Sequence, residues 1–338
     1  ARLSGYLIEH RNEFTPYILV DAGNFTGEDS PQGRLKAETA LKSFSIIKYD
    51  AVALMKNETA FTDDFISPFI KRDKIPAISS GPGYKHTISA KQDVYEINIS
   101  VDPKVPVKGK LNVLLTDLPT SGLKEIKGWN VIITSSGETL DGPLKVDDTI
   151  IISGYPRGMN LGVLSLEISG EGVVSDFRHE WHKLGNDIKE DERVRNILDE
   201  YDSRVAKLLK ESERPPAGTT YAGVLKCAEC HQLFEKSWKE TGHAGAFSSL
   251  EKAGKSADPE CLKCHTVGFG EEGGFFSIES TPELANVQCE ECHGFNREHL
   301  TEFSEPLSPV TGKVCLKCHT ENNSPDFNYE VYREKIIH

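Results

Sequence analysis

Cys227-Ala-Glu-Cys230-His231 is the first of four copies of one motif, Cys-x-x-Cys-His, around which the C-terminal part of the chain is built. The second, third and fourth motifs are Cys261-Leu-Lys-Cys264-His265, Cys289-Glu-Glu-Cys292-His293 and Cys315-Leu-Lys-Cys318-His319. Together they use all 8 cysteines of the chain. A histidine directly after a Cys-x-x-Cys pair is typical of covalent haem, because both thiols form thioethers and the histidine binds the iron.

The four motifs predict four c-type haems as cofactors. The predicted attachment thiols are Cys227, Cys230, Cys261, Cys264, Cys289, Cys292, Cys315 and Cys318, and the proximal iron ligands are His231, His265, His293 and His319. A zinc ribbon also contains Cys-x-x-Cys pairs, but it does not need a histidine after every second cysteine. A disulfide framework is disfavoured, since two cysteines so close in sequence are awkward to bridge.

Residues 221–338 must hold all four haems, which leaves about thirty residues for each one, too few for an ordinary apolar core. We therefore predict a cytochrome domain of short helices and loops with the haems as its core. Because bacteria and archaea attach haem c outside the cytoplasm, we expect a periplasmic or extracellular protein, secreted with a signal peptide that is then removed. Ala1 in place of an initiator Met fits such a processed chain.

Seven further histidines are available for the second axial position of the irons. Met55 and Met159 are the only methionines and lie outside the haem segment, so we expect bis-histidine ligation and low potentials. The predicted distal ligands lie within the haem segment: His243, His299 and His338. His10 and His86, in a region without motifs, are expected to be ordinary side chains.

His179 and His182 form an i, i+3 pair around Trp181, just before a helical pattern, and are further candidates for one iron. Three distal ligands for four irons leave three alternatives for the last one. That iron is five-coordinate, is served by the 179/182 pair, or is served by a neighbouring subunit.

Seven short apolar runs between residues 17 and 168 predict strands. They are Tyr17-Ile-Leu-Val20, Ala51-Val-Ala-Leu54, 94–101, Leu111-Asn-Val-Leu-Leu115, Asn130-Val-Ile-Ile-Thr134, Thr149-Ile-Ile-Ile152 and 162–168. Helical periodicity covers residues 35–47 and 190–209. The alternation predicts an α/β (α+β) sandwich domain over 1–210, followed by a linker at 211–220 and the mostly α-helical and loop domain at 221–338.

Residues 221–338 resemble the tetrahaem cytochrome c-554 family of periplasmic electron carriers. The matching features are Tyr221-Ala-Gly, the first three motifs with their flanks, Trp238 with His243-Ala244, and the ending Pro325-Asp-Phe to Ile337-His338.

This resemblance implies axial pairs. His243 would pair with His293, and His338 with His319. The family's distal ligand for the first haem has no counterpart here, so we assign His299 to His231 instead. The second haem is five-coordinate in some relatives, and the sixth position opposite His265 is therefore open.

Residues 1–205 are similar to calcineurin-like metallophosphoesterases of the 5′-nucleotidase type. Leu19-Val-Asp-Ala-Gly-Asn24 stands where that family has an Asp-Ala-Gly-Asp strand end. Tyr49-Asp-Ala-Val-Ala-Leu-Met-Lys-Asn-Glu58 stands where it has Tyr-Asp-Ala-Val-x-Leu-Gly-Asn-His-Glu. Such enzymes hold two metal ions that clamp the attacking and departing oxygens.

The metal-binding residues that this resemblance implies are replaced in the chain. Asn24 stands in place of the bridging carboxylate, Lys56 in place of an Asn ligand and Asn57 in place of the catalytic His, and Ser135-Ser136 occupy the place of a later His ligand. A lysine ammonium repels metal ions. We therefore predict a non-catalytic scaffold without metal or phosphoesterase activity, in which Asp21, Asn24 and Glu58 are ordinary polar residues.

The chain has 52 acidic and 39 basic residues and a net charge of −13, which argues against a nucleic-acid surface. No apolar run is long enough for a membrane span. The expected partners are redox proteins that are basic or contain haem, together with self-association into an oligomer or filament.

Three functions fit these residues. The leading hypothesis is an electron carrier, not an enzyme, with four closely placed haems. The first alternative is a subunit of an extracellular cytochrome filament with haem ligation across subunits. The second is a reductase or oxidase acting at an open, five-coordinate second haem.

Overall fold

The computed structural model describes residues 1–92, 95–169, 173–212, 221–295, 297–302, 310–320, 323–324 and 326–336. These residues form two compact units, Ala1–Tyr201 and Asp202–His338. The helix that contains this boundary begins at Glu192, in the first unit, and ends at Glu211, in the second. The predicted limits 1–210 and 221–338 stay predictions.

The first unit is a mixed α/β fold. Its strands are β1 (Val20–Asp21), β2 (Ala51–Leu54), β3 (Ala77–Ser79), β4 (Thr87–Gln92), β5 (Tyr95–Ser100), β6 (Leu111–Thr116), β7 (Val131–Thr134), β8 (Leu144–Val146), β9 (Thr149–Ser153), β10 (Asn160–Ile168) and β11 (Val174–Lys183). Its helices are α1 (Arg2–His10), α2 (Pro31–Ile47), α3 (Lys56–Thr59), α4 (Asp63–Asp73), α5 (Thr120–Leu123) and α6 (Glu192–Glu211), the last of which continues into the second unit.

The strands make two parallel or mixed sheets and one hairpin. A parallel sheet has the order β1-β2-β3, and a six-stranded sheet has the order β4-β5-β6-β7-β9-β8. The four central strands of the larger sheet are parallel, while β4 and β8 are antiparallel edges. The strands β10 and β11 pair with each other. The predicted α/β sandwich class is confirmed.

Continuous apolar runs explain the central strands. Every residue of β2, β6 and β9 is buried, as expected for parallel strands covered on both faces. The main core lies between the sheets, where Ala53, Ile78, Ile99 and Leu115 are fully buried. The hairpin packs Leu164 and Leu166 against this core.

Several strands differ from the sequence expectation. The first predicted run begins at Tyr17, but β1 begins only at Val20. The strands β3, β4, β8 and β11 were not predicted, because they are short or carry charged residues. His179 and His182 were expected just before a helical pattern, and α6 does follow them, from Glu192. Both lie on β11, where positions three apart face opposite sides of the hairpin.

The second unit consists of short helices and loops, as predicted. The helices are α7 (Val224–Ala228), α8 (Gln232–Lys239), α9 (Ala246–Ala253), α10 (Pro259–His265), α11 (Cys289–His293), α12 (Arg297–Glu302), α13 (Gly312–Cys315) and α14 (Tyr329–Arg333). This unit also has a small apolar core of its own, in which Leu262, Val267 and Phe275 are at most 1% exposed. The expectation that haems alone form its core is therefore too narrow.

Of the predicted linker 211–220, Glu211 ends α6, while residues 213–220 lie outside the described residues. Within the described part of the chain, no helix combines the length and the apolar character that crossing a membrane requires.

Candidate functional site

Each Cys-x-x-Cys-His motif lies on one helical turn. The second and third motifs are inside α10 and α11. In the first motif the backbone N–H groups of Cys230 and His231 donate to the carbonyl of Cys227, at 3.3 and 3.0 Å. The fourth motif repeats both bonds, at 3.2 and 2.9 Å. Because residues three apart share a face of a helix, each pair of thiols is presented on one side.

Thiols from different motifs are in contact. Cys227 hydrogen-bonds Cys289, which raises the pKa of Cys227 and lowers that of Cys289 to about 7. Cys318 hydrogen-bonds Cys264 and lowers its pKa to about 7 in the same way. The first motif therefore adjoins the third, and the second adjoins the fourth.

A third proximity joins these two pairs. Burial, and after it the neighbouring Cys315 thiol, raises the pKa of Cys292 to about 11. Cys292 belongs to the third motif and Cys315 to the fourth. The third and fourth motifs are thus close enough for their thiols to interact electrostatically.

Two pairs of histidines have the spacing that a shared iron requires. The ring centroids of His231 and His299 are 6.0 Å apart, with the ring planes 14° from parallel. Those of His243 and His319 are 6.2 Å apart at 57°. Two imidazoles that bind opposite faces of one metal ion through bonds of about 2 Å place their ring centroids about 6 Å apart. The described histidines therefore fit axial haem ligation.

The second of these pairs places His243 beside His319. The cytochrome c-554 resemblance implies instead that His243 pairs with His293, and that assignment stays a prediction. His243 is carried by the 3₁₀ turn Gly242–Gly245. The carbonyl of His243 accepts a hydrogen bond from the N–H of Val287 at 3.2 Å, and the Trp238 indole donates to the carbonyl of Val287 at 2.8 Å.

Hydrogen bonds at Nδ1 orient two proximal imidazoles. Nδ1 of His265 lies 2.7 Å from the carbonyl of Ala246, which can only accept. The proton is therefore on Nδ1, and Nε2 keeps a lone pair for iron. His319 contacts the Ser324 hydroxyl through Nδ1 at 3.2 Å. Burial lowers the pKa of both His243 and His319, which favours the neutral form that binds metal.

The remaining ligand candidates are His338, His179 and His182. For His179 and His182 the structure shows no partner histidine at the spacing of a shared iron among the described residues. His338 lies outside the described residues. His179 stands edge-on to Trp181, with centroids 4.7 Å apart, and His182 receives or donates a hydrogen bond at Nδ1 with the Tyr6 hydroxyl at 2.6 Å. Nε2 of both histidines is buried without a hydrogen-bond partner in the described part of the chain. The ligand role of this pair stays a prediction.

Three polar residues around the third motif were not among the predicted site residues. Gln288 and Glu290 are buried, at 4% and 7% exposure, and Glu291 is half-buried. The available signal was the Glu-Glu pair itself, since the second and fourth motifs carry Leu-Lys at the same positions.

The residues that stand where the resemblance implies metal ligands are hydrogen-bonded to one another and to neighbouring backbone groups. The Asn24 amide donates to the Ser135 carbonyl at 3.0 Å, and its oxygen accepts from the N–H of Asn57 at 3.2 Å. The buried carboxylate of Glu58 accepts from the N–H groups of Asn24, Thr26 and Met55 and from the Thr26 hydroxyl. The Lys56 side chain is exposed.

Asp21, at the end of β1, differs from these residues in its protonation. Desolvation raises the pKa of its carboxyl to about 7, although the N–H of Gly23 donates to it at 2.9 Å. Among the residues that the structure describes, no three His, Cys, Asp or Glu side chains are placed to hold one metal ion.

The paired motifs and histidines of the second unit define the haem-binding segment of a c-type cytochrome. The family model described as "Cytochrome c554 and c-prime" matches residues 226–294. Cytochrome c-554 of Nitrosomonas europaea is 35% identical over 79 residues, which are 19% of this chain and 34% of that protein. The resemblance of the C-terminal region to this family is confirmed.

Solved structures match the α/β fold. The 5′-nucleotidase precursor from Thermus thermophilus has a TM-score of 0.52 at 14% identity, covering 75% of this chain and 61% of that protein. The NAD nucleotidase of Haemophilus influenzae also has a TM-score of 0.52 at 14% identity, covering 65% and 57%. This likeness confirms the 5′-nucleotidase-like fold. The chain spans about a third of its cytochrome relative and about three-fifths of these two structures.

Proposed function

We propose that the protein is an extracytoplasmic tetrahaem cytochrome that relays electrons through four covalently bound haems. The observation that carries this proposal is the proximity of the attachment motifs within one unit, in which Cys227 contacts Cys289 and Cys318 contacts Cys264. Attachment sites close to one another are what a relay needs, since each carrier must lie near the next.

The chain's own residues set the conditions of the relay. Each bound haem supplies an iron that accepts and releases one electron. His231 with His299, and His243 with His319, would hold two of the irons from both faces, so that no position is left for a substrate. Histidine pairs, in place of a methionine ligand, keep the potentials low.

The first unit serves in this proposal as a non-catalytic scaffold. Asn24, Asn57 and Ser135 satisfy one another where a phosphoesterase would present metal ligands. Assays of the purified protein with a nucleoside monophosphate and with a generic phosphoester, each with Mn²⁺ or Mg²⁺, should show no metal-dependent hydrolysis. An active 5′-nucleotidase assayed under the same conditions is the positive control. Hydrolysis that is abolished by a chelator would refute the scaffold role.

A haem count and a spin-state measurement test the relay itself. We expect a pyridine haemochrome assay to give four haems per chain, and EPR of the ferric protein to show low-spin irons. Fewer than four haems would contradict the relay as stated. A high-spin signal from about one haem in four would instead favour a reductase or oxidase at an open iron.

A further inference from the structure

The third motif carries two glutamates between its cysteines, and both reach out of the motif. Glu290 and Glu291 lie on α11, the helix formed by the motif itself. Glu290 is 7% exposed, although a buried carboxylate is unfavourable unless hydrogen bonds stabilise its charge. Its partners therefore indicate its role.

Glu290 binds the segment that leads into the first motif. One carboxylate oxygen accepts from the N–H of Ala222 at 2.9 Å, and the other accepts from the N–H of Gly223 at 2.8 Å. Gly223 directly precedes α7, which contains Cys227. A carboxylate that accepts two backbone N–H groups makes charge-assisted bonds with a defined geometry.

Gln288 continues this contact by one residue. Its side-chain oxygen accepts from the N–H of Val224, and its amide donates to the carbonyls of Glu283 and Ala285. Three consecutive backbone N–H groups at the start of α7 are thus bound by side chains of the third motif and its flank. The first attachment site is consequently held to the third by directional hydrogen bonds.

Glu291 reaches in another direction, to the segment that follows the second motif. Its carboxylate accepts from the N–H of Gly268 at 2.6 Å. Gly268 has φ 61°, and the ring of Tyr221 lies where a Cβ would be, so only glycine suits this approach. Tyr221 in turn hydrogen-bonds Glu271, in the same loop.

We propose that Glu290 and Glu291 are positioning residues that fix the first and second haem attachment sites relative to the third. This inference rests on the proposed function and adds to it, because the efficiency of a relay depends on how its carriers are spaced. Groups that orient a cofactor site from outside its direct ligands act through such hydrogen bonds. Glu290 acts on the first site and Glu291 on the second.

The test uses the full haem-loaded chain with Glu290→Gln, Glu290→Asp and Glu291→Gln. Glu251→Gln is the control, because Glu251 is exposed on α9 in the same unit. Haem counts and circular dichroism establish first that each variant is assembled. EPR then reports the magnetic interaction between haems, and photoreduction kinetics report the rate of internal electron equilibration.

We expect four haems in every variant, changed inter-haem EPR interactions in the Glu290 and Glu291 variants, and internal equilibration slowed about tenfold. The Glu290→Asp variant separates position from charge, because it keeps the charge but shortens the reach. It should behave like Glu290→Gln.

Wild-type EPR and kinetics in both Gln variants would overturn the inference while the relay stands. The inference would also be overturned if Glu290→Asp matched wild type while Glu290→Gln changed only the midpoint potential of a haem. The charge of Glu290, and not its position, would then be the cause. A wild-type protein with fewer than four haems would instead overturn the proposed function. If Glu290→Gln fails to take up haem, Glu291→Gln carries the same test at the second site.

Discussion

The imidazole rings of His231 and His299 have their centroids 6.0 Å apart and their planes 14° from parallel. His231 follows the first Cys-x-x-Cys pair, while His299 lies on α12, after the third motif. The two are far apart in sequence, and their spacing is that of two ligands on one iron. His299 is therefore the residue whose loss should open the first haem.

Replacing His299 by alanine should convert one iron of four to the high-spin form. The physical reason is that the alanine side chain offers no ligand opposite His231. EPR and near-infrared spectra of the ferric protein measure the fraction of iron that is high-spin. His299→Met should instead keep that iron low-spin and raise its reduction potential. His86→Ala, an exposed histidine of the first unit, is the matched control and should leave the spectra unchanged.

The sequence indicated a c-type haem cofactor because Cys-x-x-Cys-His is local chemistry. All atoms that attach one haem lie within five residues. It predicted β2, β6, β7 and β9 for a similar reason, since their apolar runs are continuous. Those assignments needed no knowledge of distant contacts.

Which distal histidine lies opposite which proximal histidine could not be predicted from the sequence in the same way. Whether His243 faces His293 or His319 depends on where a 3₁₀ turn is held by Trp238 and Val287, a contact between segments far apart in sequence. The roles of Glu290 and Glu291 were hidden for the same reason, because their partners are backbone N–H groups, which any sequence would offer.

The pairing of His243 with His319 makes a prediction about a chain without the fourth haem. In a Cys315→Ala/Cys318→Ala background, His243 has no iron to bind, so adding His243→Ala should leave the spin states of the remaining haems unchanged. In the wild-type background the same substitution should produce one high-spin iron. EPR of the four proteins decides between the pairs. A new high-spin signal in the three-haem background would instead assign His243 to His293.

Asp21 predicts a pH dependence of the first unit's stability. Its pKa of about 7 in the folded chain is above its ordinary 3.8, so the folded state holds the proton more tightly than the unfolded state. The free energy of unfolding must then fall as pH rises from about 4 to about 7. Asp21→Asn removes the charge, keeps an oxygen to accept from Gly23, and should stabilise the unit at pH 8 by up to about 4 kcal/mol.

Calorimetry of the wild-type protein and of Asp21→Asn at pH 5 and pH 8 measures the change in stability through the unfolding transition of the first unit. The gain from Asp21→Asn should be larger at pH 8 than at pH 5. Asp141→Asn, at an exposed position, is the control and should show no such difference. An equal shift at both pH values would mean that Asp21 is ionised in the folded protein throughout the range.

The net charge of −13 predicts how the protein meets a redox partner. Each bound haem adds two propionates, so the assembled protein is more acidic still. A lysine-rich cytochrome should therefore exchange electrons with it quickly at low salt, and the bimolecular rate should fall as the Debye length shortens from about 30 Å at 0.01 M to about 8 Å at 0.15 M. An acidic partner should show the opposite trend, because salt then screens repulsion. Stopped-flow rates for both partners across this range provide the measurement. A rate that is flat for the basic partner would exclude electrostatic docking as the means of encounter.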